Sequence, residues 1–166
     1  MKWYALHVLT NSEIDIKNYL MKKGYKSLVP RRQLRERRKG IWVTAEKTLF
    51  PGYVFVYSAM DVNEYYMISG ISGVVTILRG ASNYPEPLSV DEALQLQKLT
   101  QESDLVGMSD IIIESGNMVK VINGPLFGYE GSIIKVDRRR QRAKVRFTIV
   151  GKETEVELGI NVLDKI

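Results

Sequence analysis

The chain has 166 residues, with 24 Lys/Arg against 19 Asp/Glu and a single histidine, for a formal net charge of +5. It has no cysteine, so disulfides and thiolate metal sites are excluded and a reducing compartment is allowed. No apolar run reaches the ~18 residues a membrane span needs, and Met1-Lys2-Trp3-Tyr4 does not open a signal peptide, so a soluble cytoplasmic protein without a membrane partner is expected.

Charge is unevenly spread along the chain. Residues 22–47 hold ten Lys/Arg against only Glu36 and Glu46. Residues 101–115 hold Glu102, Asp104, Asp110 and Glu114 and no base, and residues 116–166 hold ten bases against six acids. Two basic bodies separated by an acidic strip suggest two domains and a polyanionic partner, although runs of charge also arise as plain solvated surface.

Trp3 to Leu9 reads as a first strand. Asn11-Ser12 reads as a helix N-cap, with Glu13 and Asp15 in the first turn, Ile16, Tyr19 and Leu20 at helical spacing, and Gly24 as the stop. Pro30 to Lys39 is dominated by arginine and predicts a loop or exposed hairpin, turning at Lys39-Gly40 into a strand at Ile41-Trp42-Val43. Such a segment fits either a flexible solvated loop or contact with a nucleic acid backbone.

Leu49-Phe50-Pro51-Gly52-Tyr53-Val54-Phe55-Val56-Tyr57 is a turn followed by an aromatic and β-branched strand. Side chains alternate along it, so Val54 and Val56 point to one face and Tyr53, Phe55 and Tyr57 to the other. The aliphatic face suits a helix-covered core. The aromatic face fits either a second core layer or an exposed docking surface. Asp61 then caps a helix over Val62 to Ile68, and Val74 to Leu78 is another strand. Ser89-Val90-Asp91-Glu92 is a capping box opening a helix with Ala93, Leu96 and Leu99 on one face. This order fits one α/β sandwich of about 100 residues, residues 1–100, with 101–115 as a linker carrying a short strand at Ile111-Ile112-Ile113.

From Gly116 the texture changes to short strands and glycine turns, which suggest a small closed barrel over 116–166. Asp137 to Arg142 is a basic turn, and Gly151-Lys152 reads as a two-residue hairpin turn. That register sets Arg146 opposite Glu157 and leaves Arg138, Arg139, Arg140 and Arg142 without a folding partner.

Trp3-Tyr4, Phe50-Pro51-Gly52-Tyr53-Val54-Phe55-Val56, Gly73-Val74-Val75, Pro85 to Ser89 and the Gly116 to Ile166 tail together resemble the NusG family of transcription elongation factors. The resemblance spans the whole chain. It implies an α+β protein: an N-terminal NGN domain, an antiparallel sheet flanked by helices, followed by an SH3-like KOW β-barrel. It also implies that the NGN domain docks on the clamp helices of RNA polymerase through His7, Tyr53, Phe55, Ile77 and Leu78. Two departures stand out. Val150 occupies a loop position where the housekeeping member carries an aromatic, and the turn before it is richer in arginine. Both are similar to specialised paralogues such as LoaP, which binds a hairpin in the nascent RNA. The resemblance therefore implies RNA contact through Arg138, Arg139, Arg140, Arg142, Lys144 and Arg146. The alternative is a general elongation factor whose KOW domain takes a protein partner, either a ribosomal protein or a termination factor.

Catalysis is not expected, nor a cofactor or metal. His7, the one histidine, alternates with Leu6 and Val8 and points away from them, and Gly124, Gly128 and Gly131 are not followed by the Lys-Ser/Thr of a P-loop. A monomer is expected.

Overall fold

The computed structural model describes residues 1–100 and 103–163; Gln101 and Glu102, in the expected linker, and residues 164–166 lie outside the described residues. The chain divides into two compact units. One comprises Met1–Val29, Phe50–Gln97 and Thr148–Lys152; the other comprises Pro30–Leu49, Lys98–Phe147 and the chain from Glu153 on.

The first unit is built on β1 (Lys2–Val8), β2 (Lys26–Leu28), β5 (Tyr53–Ser58) and β6 (Val74–Ile77), in the order β2-β5-β1-β6 and antiparallel throughout. Tyr4, Leu6 and Val8 of β1, Val54 and Val56 of β5 and Ile77 of β6 share a buried cluster with Ile16 and Leu20 of α1 (Glu13–Lys22) and Ile68 of α2 (Val62–Ser69). The helices therefore cover the aliphatic face, as the alternation predicts. α2 and α3 (Val90–Leu99) start where their cap residues dictate, whereas at α1 Ser12 makes no side-chain cap hydrogen bond. The Asp61 side chain accepts from the Glu64 N–H at 2.8 Å. At α3 the Ser89 and Glu92 side chains each accept from the other's backbone N–H, completing the capping box.

The second unit holds two sheets. β3 (Arg31–Arg38) and β4 (Ile41–Thr48) pair over eight residues each, and β7 (Leu105–Val106) runs parallel to β3. The arginine-rich segment is therefore a regular hairpin. Its turn, Lys39-Gly40, has φ of 51° and 77°, the two positive values a type I′ turn requires. The hairpin falls within the second of these units.

The other sheet orders β8 (Ser109–Glu114), β9 (Met118–Asn123), β10 (Ile133–Asp137), β11 (Arg142–Ile149) and β12 (Lys152–Val162) as β10-β11-β12-β8-β9. It curls round buried Ile111, Val121, Val145, Val156, Leu158 and Ile160, in keeping with an SH3-like fold. β7 and β8 thus occupy most of the segment expected as a linker. The strand foreseen at Ile111–Ile113 extends to six residues, because both its edges find partners, β12 in parallel and β9 antiparallel.

The hairpin closing β11 onto β12 also differs from expectation. Its turn residues are Val150 and Gly151, with φ of 48° and 76°. A β-branched residue at positive φ is unusual, which is why the glycine attracted the turn one residue too far along. In the second unit β3 passes close to β12: a Cβ on Gly159 would collide with the Gln33 carbonyl oxygen.

Beneath α2, the Glu64 carboxylate accepts from the Ser58 hydroxyl at 2.7 Å and the Tyr25 hydroxyl at 3.2 Å. Ser58 above all, then Tyr25, holds the Glu64 carboxyl below its ordinary value of 4.5. A carboxyl depressed on folding stabilises fully above its unfolded pKa and loses that contribution as pH falls through the folded value. Urea midpoints followed below about pH 4.5 should therefore drop less steeply in Glu64→Gln than in the parent.

Candidate functional site

On the sheet face opposite the helices, β1 and β5 set Trp3 against Tyr57, Ala5 against Phe55 and His7 against Tyr53. His7 is exposed and Tyr53 half-buried, with ring centroids 6.0 Å apart. Phe55 lies on this face but is only 1% exposed, its ring edge-on to Phe50 at 5.8 Å. It is a core residue, so the expectation that its ring is available for docking is corrected. Ile77 is corrected too: it pairs with Leu6, takes the helix-covered face and is 2% exposed. Thr76 is the β6 residue beside His7, and the register shifts only beyond that pair, between His7 and Val8. Leu78 is half-buried, its N–H donating to the Ala5 carbonyl at 2.9 Å.

The Pro51-Gly52 turn carries this face. Gly52 has φ of 83°, and its N–H donates to Glu13 Oε1 at 3.0 Å. Glu13 is 5% exposed. The sequence marks Glu13 as a first-turn acid suited to the helix dipole; nothing in the local pattern shows that it also reaches 39 positions along the chain to the turn.

The predicted basic residues separate into two groups. Arg138 and Arg139 are exposed and make no ion pair among the described residues. Their turn is held by Asp137, whose side chain accepts from the Arg140 N–H at 3.0 Å. Arg142 is different. Its side chain is 12% exposed and lies 3.1 Å from Glu157 and 3.7 Å from Glu36. Arg140 lies 3.6 Å from the same Glu157. The expectation that all four turn arginines lack folding partners is therefore corrected for these two. Arg146 reaches Glu153 at 3.6 Å and not Glu157, because the turn sits one residue earlier than expected, and Lys144 lies 4.0 Å from Glu155. Both pairs are solvent-exposed, so each contributes only ~0.2–1 kcal/mol and leaves its cation free to exchange partners.

The hairpin adds residues the sequence did not connect to this turn. Arg32 donates to the Glu157 carbonyl at 2.6 Å and Arg35 to the Gln141 side chain at 3.2 Å. Burial pushes the Arg32 pKa down, with Arg142 adding to the effect and Glu157 opposing it. The basic run was visible; its position against residues 139–142 depends on pairs more than 100 residues apart in sequence.

Residues 1–97 match the family described as transcription termination factor nusG, and residues 115–149 match the KOW motif. The chain belongs to the NusG family. The transcription termination/antitermination protein NusG of Bacillus subtilis is 30% identical, covering 99% of this chain and 98% of that protein. The NusG proteins of Thermus thermophilus and Rickettsia typhi are 29% and 28% identical, each over 99% of this chain and over 98% and 90% of their own lengths. A solved structure concerning domain interaction in Thermotoga maritima NusG is 27% identical with a TM-score of 0.57, covering 95% of this chain and 93% of that one. The chain is a NusG-type transcription termination/antitermination factor with NGN and KOW domains, and members of this family are not enzymes. Among the described residues, no helix is long and apolar enough to cross a membrane.

The Glu13–Gly52 bond is charged, buried and non-local, the kind whose loss leaves a backbone donor unpaired. Glu13→Ala should lower stability by about 1.5–3 kcal/mol, read from urea unfolding. A loss under half that would show that water or another group replaces the carboxylate.

Proposed function

We propose that this NusG-family factor binds RNA polymerase through the NGN face around His7, Tyr53 and Leu78, and a nascent RNA hairpin through the basic KOW surface, as a LoaP-like antiterminator. The observation that carries the RNA half is the pair Arg138 and Arg139: exposed, adjacent on a braced turn and unpaired among the described residues. Folding alone gives no reason for two guanidinium groups there. Planar forks of N–H donors match phosphate oxygens and the guanine edge. An intact A-form major groove is too narrow to read, so a hairpin loop or bulge is the fitting target. Arg140, Lys144 and Arg146 can join such a contact by exchanging exposed carboxylates for phosphates. Arg142 contributes by holding the turn in place.

The protein does no chemistry in this scheme. It shifts a conformational equilibrium of polymerase by binding one state better than another. RNA bound on the same chain raises the local concentration of the factor at the enzyme.

Two variants separate the halves. Tyr53→Ala should weaken polymerase binding about tenfold, the value of roughly half a buried aromatic side chain, and leave RNA affinity unchanged. The double variant Arg138→Ala/Arg139→Ala should abolish the mobility shift of leader hairpins at moderate salt while polymerase binding persists. It should also reduce the slope of log affinity against log salt by about 1.5–2, two phosphate contacts at the duplex coefficient. Unchanged hairpin affinity in the double variant would leave a general NusG-type factor whose KOW domain serves a protein partner.

A further inference from the structure

Register in the β3–β4 hairpin sets Arg37 directly opposite Trp42 on one face. The guanidinium carbon lies 5.8 Å from the ring centroid, and Trp42 is 40% exposed. An indole left this open on a charge-rich hairpin is an aromatic plane still accessible to a ligand. Arg35, Arg37 and Trp42 line a groove of about 430 Å³ together with Arg139, Arg140 and Arg142. That volume falls within the range of small-molecule sites.

The groove is electrostatically unbalanced. Glu36, its single carboxylate, is already claimed by Lys47 at 2.6 Å, Arg38 at 3.0 Å and Arg142 at 3.7 Å. Lys47, then Arg38, holds its carboxyl below the ordinary range. Glu157 answers Arg140 and Arg142 from outside. Arg37 and Arg139 make no ion pair among the described residues, and the buried Nε of Arg142 has no hydrogen-bond partner.

Surplus guanidinium groups beside one accessible aromatic plane are the chemistry of a phosphodiester with a free base. An acidic peptide would answer the charge and leave the indole unused. A duplex would offer phosphates while keeping its base faces stacked. An unpaired nucleotide answers both, with its base on the ring and its phosphate on the arginines. We propose that this groove holds one unpaired nucleotide of a nucleic-acid strand, its base stacked on Trp42 and its phosphate between Arg37 and Arg139. This extends the RNA surface proposed above onto the hairpin and rests on that reading only through Arg139.

The test uses the full chain, fluorescence titration and three probes: a single-stranded RNA octamer, the DNA octamer of the same sequence, and the fully paired RNA duplex. Single strands should quench the Trp42 emission, with Trp42→Phe giving the Trp3-only baseline and retaining affinity. Trp42→Ala should weaken single-strand binding about tenfold or more and duplex binding less than about twofold, since a duplex presents only phosphates. The RNA and DNA arms tell which strand the groove prefers. Unquenched Trp42 emission at saturation, or unchanged single-strand affinity in Trp42→Ala, would overturn the proposal. Arg138 lies outside the groove, so Arg138→Ala serves as the separate check. If it weakens leader-hairpin binding while Trp42→Ala changes nothing, the hairpin reading stands and the groove falls. If Trp42→Ala alone weakens binding, the groove stands without that reading.

Discussion

Gly52 has both of its backbone polar groups committed. Its carbonyl accepts from the Val8 N–H at 2.8 Å, and its own N–H donates to Glu13 at 3.0 Å. The turn is thereby tied at once to the end of β1 and the first turn of α1. That fixes where β5 begins, and with it the pairing of Tyr53 with His7 and of each later pair down the ladder. A slip of one residue would turn Val54 and Val56 outward and bring the aromatics under the helices. Glycine is favoured at this position by its positive φ, while the space around a Cβ here is ordinary.

In the second unit the organising groups are two carboxylates. Glu36 and Glu157 between them take Arg38, Lys47, Arg140 and Arg142, and the Glu157 carbonyl takes Arg32 as well. Partly buried charges persist only where paired, so these acids determine which arginines serve the fold. Those beyond their reach, Arg37, Arg138 and Arg139, make no ion pair among the described residues. The division follows distance to a carboxylate, and neighbours in the chain fall on either side of it: among the described residues Arg138 and Arg139 have no ion pair, while Arg140 and Arg142 do.

Much of this was legible in the sequence because it is local. Caps at Asp61 and Ser89, the turn at Lys39-Gly40, and the alternation of Val54 and Val56 with aromatics all act within a few residues. The limits appear where distant segments meet. Alternation puts Phe55 on the same face as Tyr53, but whether that face is covered is a tertiary matter, and Phe55 proves buried. Ile77 proves buried because it stands opposite Leu6 and shares its helix-covered face, a pairing no local pattern fixes. The hairpin is legible as basic and turn-centred, but the bonds of Arg32 to Glu157 and of Arg35 to Gln141 join residues more than 100 positions apart and leave no local mark. Val150 misled because its backbone conformation is one that β-branched residues rarely adopt. Family membership was legible for the opposite reason: it rests on motifs spread along the chain and needs no contact map.

Gly159 has an ordinary backbone, and what requires it is space next to another strand's main chain. Where β3 crosses it, the strand carbonyl of Gln33 takes the room a methyl group would need. This gives the hairpin's placement a one-letter trace. In related chains, glycine at the corresponding position is compatible with a strand lying against the barrel there, and any larger residue excludes it. Aligned sequences can therefore sort the family by architecture at this point before any further structure is solved.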